Sequence, residues 1–303
     1  MGIGTIILIV IGAIFFLALL YVILGLIITK EINFSSRRSH QLLYRNEWKE
    51  NSPHELINYP HKKIYIKSKF GYQMAGRYYP VKPKSHKYTI LIHGYNNCSI
   101  TCGKYAKIFN DRGINCIAPD TRRIQETGGK GISFGYYERY DIETWIEEIY
   151  KMDPKAEIGM FGISLGAATC ILVAEMRIDL KYIIPYCSYS SFKDIVMSKG
   201  KDLYPKLIKF FYPAIVIGGF ITMGARQDLI DITASIKKVS CPTMILHSQD
   251  DDFTPYSQAL KLKEAKPDAV FRDFVGPQHA RSYATQPVLY TKYINDFLDE
   301  IGV

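Results

Sequence analysis

Residues 157–176 read EIGMFGISLGAATCILVAEM, and they give the clearest indication of the fold in this chain. EIGMF is a short apolar run typical of a buried strand, and the residues from Leu165 onward are typical of a buried helix. Between them, residues 162–166 (GISLG) match the G-x-S-x-G pattern of a tight turn from strand to helix. The pattern predicts that Ser164 is a nucleophile held out at the C-terminal edge of a sheet. A purely structural Gly-Ser turn is the alternative.

Strand and helix patterns alternate around this stretch from Lys62 to the end of the chain. The alternation predicts an α/β fold with a mostly parallel, twisted sheet and helices on both faces, opened by an antiparallel hairpin. The predicted strands are 63–68, 72–80, 88–93, 114–119, 157–161, 182–188, 243–248 and 269–274. The predicted helices are 99–112, 138–151, 165–176 and 287–301.

Residues 189–236 interrupt this rhythm and predict a small helical cap. The segment contains FFYPAIVIGGFITMG (210–224), an apolar run of 15 residues with an internal Pro213 and a Gly-Gly pair. A run this short and interrupted favours packing inside the protein over a membrane span or a lipid-facing lid.

The first charged side chain in the chain is that of Lys30. The preceding apolar run exceeds the ~20 residues that a bilayer core requires, so residues 1–29 are predicted to form one transmembrane helix. A secretory signal peptide would have a basic start and a shorter apolar region. A buried core helix is the remaining alternative.

Basic residues follow this helix, among them Arg37, Arg38 and Arg45. The positive-inside rule therefore predicts a single-pass protein of the cell membrane with its larger part on the cytoplasmic side. Six cysteines are too few for a disulfide scaffold and agree with a reducing compartment. The predicted organisation is a membrane helix at 1–29, a juxtamembrane linker at 30–60 and one α/β domain at 61–303.

The formal net charge is +9, which raises the question of a nucleic-acid partner. The basic residues are scattered, and neither zinc-finger spacing nor an RNA-recognition signature is present, so no nucleic-acid partner is predicted. Cys98 and Cys102 are four residues apart, but no second pair with zinc spacing follows, and no metal site is predicted.

The predicted strand YTILIH ends in residues 93–97 (HGYNN), one strand–helix unit before Ser164. A tetrahedral oxyanion needs two N–H donors. The residue after the nucleophile supplies one, here Leu165, and the loop after this earlier strand supplies the second, here Tyr95. His93 is predicted to brace the loop rather than to act as a base.

A candidate acid and a candidate base follow the last two predicted strands. Residues 249–255 (QDDDFTP) place three adjacent aspartates after a strand, and chemistry alone does not decide among them. His279 follows the last strand and is the only histidine after these aspartates. It alone satisfies the order Ser, Asp, His that this turn type requires.

With these motifs, the chain from about residue 62 onward resembles the α/β-hydrolase superfamily, and within it the bacterial membrane-anchored serine hydrolases grouped with esterases, lipases and acyl-peptidase-like enzymes. The matching pieces are 93–97, 118–123 (APDTRR), 133–142 (SFGYYERYDI), 161–169 (FGISLGAAT), 241–255 and 278–283 (QHARSY). The family's acid motif, His-Gly-x-x-Asp-x-x-Val-Pro, aligns the acid with Asp251. Ser248 and Thr254 depart from it, standing for the Gly and the Val.

The resemblance implies a Ser164–Asp251–His279 triad that cleaves a carboxylic ester without metal or cofactor, and the anchor suggests a lipid-derived ester. The implied partners are a small-molecule or lipid ester and the membrane lipid around the anchor. A peptidase or thioesterase would use the same triad. A catalytically silent binding protein on the same fold is the third hypothesis.

Overall fold

Eight strands form one mixed sheet in the order β1-β2-β4-β3-β5-β6-β7-β8. The computed structural model describes residues 2–34, 56, 58–201 and 205–303, and the predicted linker 30–60 lies largely outside them. β1 pairs with β2 in antiparallel orientation, and so does β2 with β4. The remaining neighbours, all among β3 to β8, are parallel. The strands are β1 Lys62–Lys67, β2 Gln73–Tyr79, β3 Lys87–Ile92, β4 Asn115–Pro119, β5 Glu157–Ile163, β6 Tyr182–Tyr186, β7 Met244–Ser248 and β8 Val270–Phe274.

Ten α-helices occur in the described residues. They are α1 Ile3–Asn33, α2 Gly103–Asn110, α3 Glu138–Met152, α4 Leu165–Ala174, α5 Phe192–Lys201, α6 Pro205–Met223, α7 Ile232–Ile236, α8 Tyr256–Ala265, α9 Ser282–Thr285 and α10 Pro287–Glu300. Short 3-10 helices cover Ser99–Cys102 and Gln227–Leu229.

The core lies in two layers, one on each face of the sheet. Successive strand residues point to opposite faces, so Ile90 and Ile92 of β3 enter one layer and Leu91 enters the other. Helices α3, α4, α5 and α7 contribute to the first layer, and α2 and α10 to the second. This architecture confirms the predicted α/β-hydrolase fold with helices on both faces.

The cap consists mainly of α5 and α6. The predicted interruption of the run 210–224 is absent, because α6 begins at Pro205 and continues through Pro213 as one helix. The prediction of buried packing holds for one face of α6 only. Ala214, Ile215 and Gly218 are buried, whereas Phe210 and Phe220 are 61% and 56% exposed.

Helix α1 extends four residues past the predicted end and packs against the cap. Residues 3–20 are exposed throughout, but residues 21–33 lie beside α6. The helices run parallel with a constant offset of 189 residues, which pairs Gly25 with Ala214 and Thr29 with Gly218. A β-carbon at Gly25 would overlap Ala214, so the helices approach closely through small residues. By length and composition, both α1 and α6 pass as candidate membrane spans, where one was predicted.

Candidate active site

Ser164 lies in a turn whose conformation only this sequence pattern permits. Its φ of 55° and ψ of −112° are strained values for a residue with a side chain. A β-carbon at Gly162 would overlap the carbonyl of Gly166, and one at Gly166 would overlap the carbonyl of Ile92. The two glycines therefore let β5, α4 and the end of β3 meet. The serine is held at the C-terminal edge of the parallel strands.

His279 lies on the loop after β8 and reaches back to the serine. Its Nε2 is 3.0 Å from Oγ of Ser164, and its Nδ1 is 2.7 Å from Oδ2 of Asp251. The ring stacks on that of Phe253, with centroids 4.7 Å apart. Three loops that are far apart in sequence thus bring a hydroxyl, an imidazole and a carboxylate into one hydrogen-bonded line.

Among the three adjacent aspartates, the geometry singles out Asp251. Asp250 accepts a hydrogen bond from the backbone N–H of Gly276 at 2.6 Å, and Asp252 is exposed. The Asp251 Oδ1 accepts from the backbone N–H of Phe253 at 2.9 Å and of Thr254 at 2.7 Å, which leaves Oδ2 for the imidazole. Burial alone would raise the pKa of the Asp251 carboxyl. The hydrogen bond from His279 and the nearby histidine rings outweigh burial, and this pKa lies below its ordinary value.

The loop after β3 lies directly beside the serine. A β-carbon at Gly94 would be 3.4 Å from Cβ of Ser164, so the residue before Tyr95 lies against the nucleophile. Leu165 is the first residue of α4, so its N–H belongs to the free N-terminal end of that helix. Both predicted oxyanion donors are thus on segments that adjoin Ser164.

His93 braces this loop, as its position suggested. The backbone N–H of Thr121 donates to Nε2 at 3.0 Å, so the proton of the neutral ring is on Nδ1, which donates to the Gly94 carbonyl at 2.8 Å. Complete burial lowers the pKa of this imidazole. A neutral ring held by two hydrogen bonds is fixed in place and is not available as a base.

Ser248 and Thr254, the two departures from the family motif, tie the acid and base loops together. The Ser248 hydroxyl donates to the carbonyl of Pro277, two residues before His279. The Thr254 hydroxyl lies 3.0 Å from Oδ2 of Asp251 and 3.2 Å from Nδ1 of His279. In the sequence, both positions stand out only as departures from the family motif. A polar residue in place of an apolar one, beside a candidate acid, was the available signal.

A buried cysteine and a separate cavity lie near or apart from these residues. The Cys187 thiol lies with donor atoms of Asp251 and His279 within 4.8 Å. Burial raises the pKa of this thiol far above its ordinary value, and the other two groups are already hydrogen-bonded to each other. A cavity of about 450 Å³, lined in part by Tyr72, Arg122 and Tyr137, is lined by none of Ser164, Asp251 and His279.

Comparison with known proteins gives relatives by sequence and by structure. No family model matches the chain. The uncharacterized protein YqkD of Bacillus subtilis (strain 168) is 31% identical over 246 residues, which cover 78% of this chain and 79% of YqkD.

Solved structures share the fold at low identity. The esterase Pf2001 of Pyrococcus furiosus superimposes with a TM-score of 0.65 at 17% identity, over 82% of this chain and 94% of the esterase. Est1E from Butyrivibrio proteoclasticus gives 0.60 at 17% identity, over 79% and 98%. The α/β hydrolase GrgF from Penicillium sp. sh18 gives 0.64 at 16% identity, over 80% and 98%.

Proposed function

Since the chain belongs to the α/β-hydrolase superfamily, in one family with YqkD, we propose that it is a membrane-anchored serine hydrolase that cleaves a carboxylic ester. The observation that carries the proposal is the line of hydrogen bonds from Ser164 through His279 to Asp251. A hydroxyl alone is a weak nucleophile, and a base oriented by a carboxylate is the arrangement that activates it.

In the proposed reaction, His279 takes the proton of Ser164 as Oγ attacks the ester carbonyl carbon. Asp251 holds the imidazole in the required tautomer and stabilises the imidazolium. The backbone N–H groups of Leu165 and Tyr95 stabilise the oxyanion. The imidazolium then protonates the leaving alcohol, and an acyl-enzyme remains. A water molecule, deprotonated by the same imidazole, cleaves the acyl-enzyme to the free acid and restores the serine.

The substrate class follows from the setting of the site and not from the triad. A peptide or a thioester would react through the same groups, so the triad does not distinguish them. The apolar helix α1, exposed over residues 3–20, supports anchoring in the cell membrane, and its flanking basic residues support a cytoplasmic domain. An anchored hydrolase meets amphiphilic molecules at high local concentration. A lipid-derived ester is therefore the proposed case.

The direct test is covalent labelling of the full-length protein by a fluorophosphonate probe. Wild type should be labelled, and Ser164→Ala should not. His279→Ala should lose both labelling and hydrolysis of p-nitrophenyl esters. If well-folded wild type is not labelled and cleaves none of these esters, the protein is a binding protein on this fold and the proposal is wrong. Cleavage of thioesters or acyl-peptides in preference to esters would contradict the substrate class alone.

A further inference from the structure

The exposed part of α1 has the length of a bilayer core. Residues 3–20 are exposed along their whole length, and at 1.5 Å per residue they span about 27 Å. The hydrocarbon core of a bilayer is about 30 Å thick. Tyr21 of α1 contacts the start of α6, where its ring meets those of Phe210 and Phe211 at 5.0 and 5.5 Å. An upright α1 therefore places this aromatic group at the edge of the hydrocarbon core, where aromatic residues concentrate.

The start of α6 lies within about 6 Å of this level, because the offset of 189 residues sets Lys206 beside residue 17 and Lys209 beside residue 20. Lysine side chains reach the headgroups from this depth. Because α1 and α6 run parallel, the N-terminal end of α6 points along α1 toward the exposed segment. Its first turns expose Lys206, Leu207, Lys209 and Phe210, with Leu207 48% and Phe210 61% exposed. Alternating lysines and large apolar residues at this depth suit the headgroup region. The ammonium groups meet phosphates there while the apolar side chains enter the hydrocarbon edge.

We propose that residues 206–210, the cap tip, dock on the membrane surface and bind anionic lipid headgroups through Lys206 and Lys209. The proposal rests on the proposed anchoring by α1. A second copy of this chain is a poorer occupant of the tip, because two such tips would bring lysines of like charge together.

The docked tip joins the membrane surface to the catalytic edge of the sheet. From the tip, α5 leads back to Phe192, whose ring meets that of Phe134 at 5.2 Å. Phe134 in turn stacks on Tyr95, with centroids 5.7 Å apart. One cap helix therefore separates the headgroups from the proposed oxyanion loop.

Tryptophan reporters in full-length protein, reconstituted into phosphatidylcholine vesicles with a minority of phosphatidylglycerol, test the docking without requiring activity. Phe210→Trp reports the tip and Phe16→Trp the exposed segment of α1. Val288→Trp, on α10 and 83% exposed, is the control. Wild-type emission is subtracted for the two native tryptophans. Brominated acyl chains should reduce the emission of Phe16→Trp and Phe210→Trp and leave Val288→Trp unchanged, and Phe210→Trp should be shifted to the blue.

Quenching of Phe16→Trp without quenching of Phe210→Trp overturns the docking and leaves the anchoring intact. A blue-shifted but unquenched Phe210→Trp overturns it in favour of a contact between two copies of this chain. If neither reporter is quenched, the anchoring fails along with the docking.

The role of the lysines has its own test. Adding Lys206→Gln and Lys209→Gln to Phe210→Trp should remove the extra quenching that phosphatidylglycerol gives over phosphatidylcholine alone. Lys292→Gln, on the opposite side of the sheet in α10, should not. Quenching that is indifferent to phosphatidylglycerol in the parent reporter overturns the headgroup specificity.

Discussion

Thr254 holds the carboxylate of Asp251 at an angle that the backbone alone does not fix. Its N–H donates to Oδ1 and its hydroxyl lies 3.0 Å from Oδ2, so one residue contacts both carboxylate oxygens. His247 of β7 is completely buried and donates its Nε2–H to the Thr254 carbonyl at 2.8 Å. The acid loop is thus held from two sides before the imidazole makes its own hydrogen bond.

Thr254→Val should lower kcat about fivefold and leave KM nearly unchanged. Valine has the same shape but removes the hydroxyl, and one such hydrogen bond contributes about 1 kcal/mol. Thr254→Ser should restore most of the rate because it keeps the hydroxyl. Steady-state kinetics on a p-nitrophenyl ester measure both variants. Equal rates for the valine and serine variants would show that the hydroxyl does not position the acid.

Asp251 also links stability to pH. Its pKa is lower in the folded protein than the ordinary value of an unfolded chain. The ionised carboxyl therefore stabilises the fold above the unfolded pKa, and this contribution is lost as the pH falls through the folded pKa. The loss of unfolding free energy in Asp251→Asn should be largest at neutral pH and shrink in acid. Urea denaturation at several pH values measures it, and a pH-independent difference would contradict it.

At the scale of elements, the contact between α1 and α6 depends on small residues at the crossing. Gly25→Val should destabilise the protein by about 1–3 kcal/mol, because a side chain there overlaps Ala214 and forces the helices apart. Gly12→Val is the matched control, since it lies in the same helix with nothing within 4 Å. Thermal unfolding in detergent micelles compares the two. Equal melting temperatures would mean that the helices do not pack as described.

The central elements were predictable because they depend on local sequence signals, whereas features that depend on tertiary packing were not. The turn around Ser164 could be predicted because its glycines are needed within five residues of sequence. The end of α1 could not be predicted, because the apolar run ends at Thr29 whereas the helix, packed against α6, continues to Asn33. The exposed face of α6 could not be predicted for the same reason, because composition does not show which side of a helix packs against another element. The choice among three aspartates needed the family motif, because it depends on side-chain direction at the end of β7.

At the scale of the whole molecule, α1 is part of the domain as well as an extension from it. The Tyr95 hydroxyl donates to the carbonyl of Ile32 at 2.6 Å, and the backbone N–H of Ile132 donates to that of Asn33 at 2.9 Å. Asn33 also shares a hydrogen bond with the buried Gln227. The last turn of α1 thus contacts the proposed oxyanion loop and the cap together.

Two deletions separate these roles of α1. A chain that starts at residue 21 loses only the exposed segment and should keep most of its activity on a soluble p-nitrophenyl ester in detergent. A chain that starts at residue 35 uncovers Ala214 and Ile215 and removes the carbonyl that holds Tyr95, so it should lose most activity and aggregate. Ester hydrolysis and light scattering on the two purified proteins measure the difference. If the shorter chain were as active and as monodisperse as the longer one, α1 would contribute nothing to the domain.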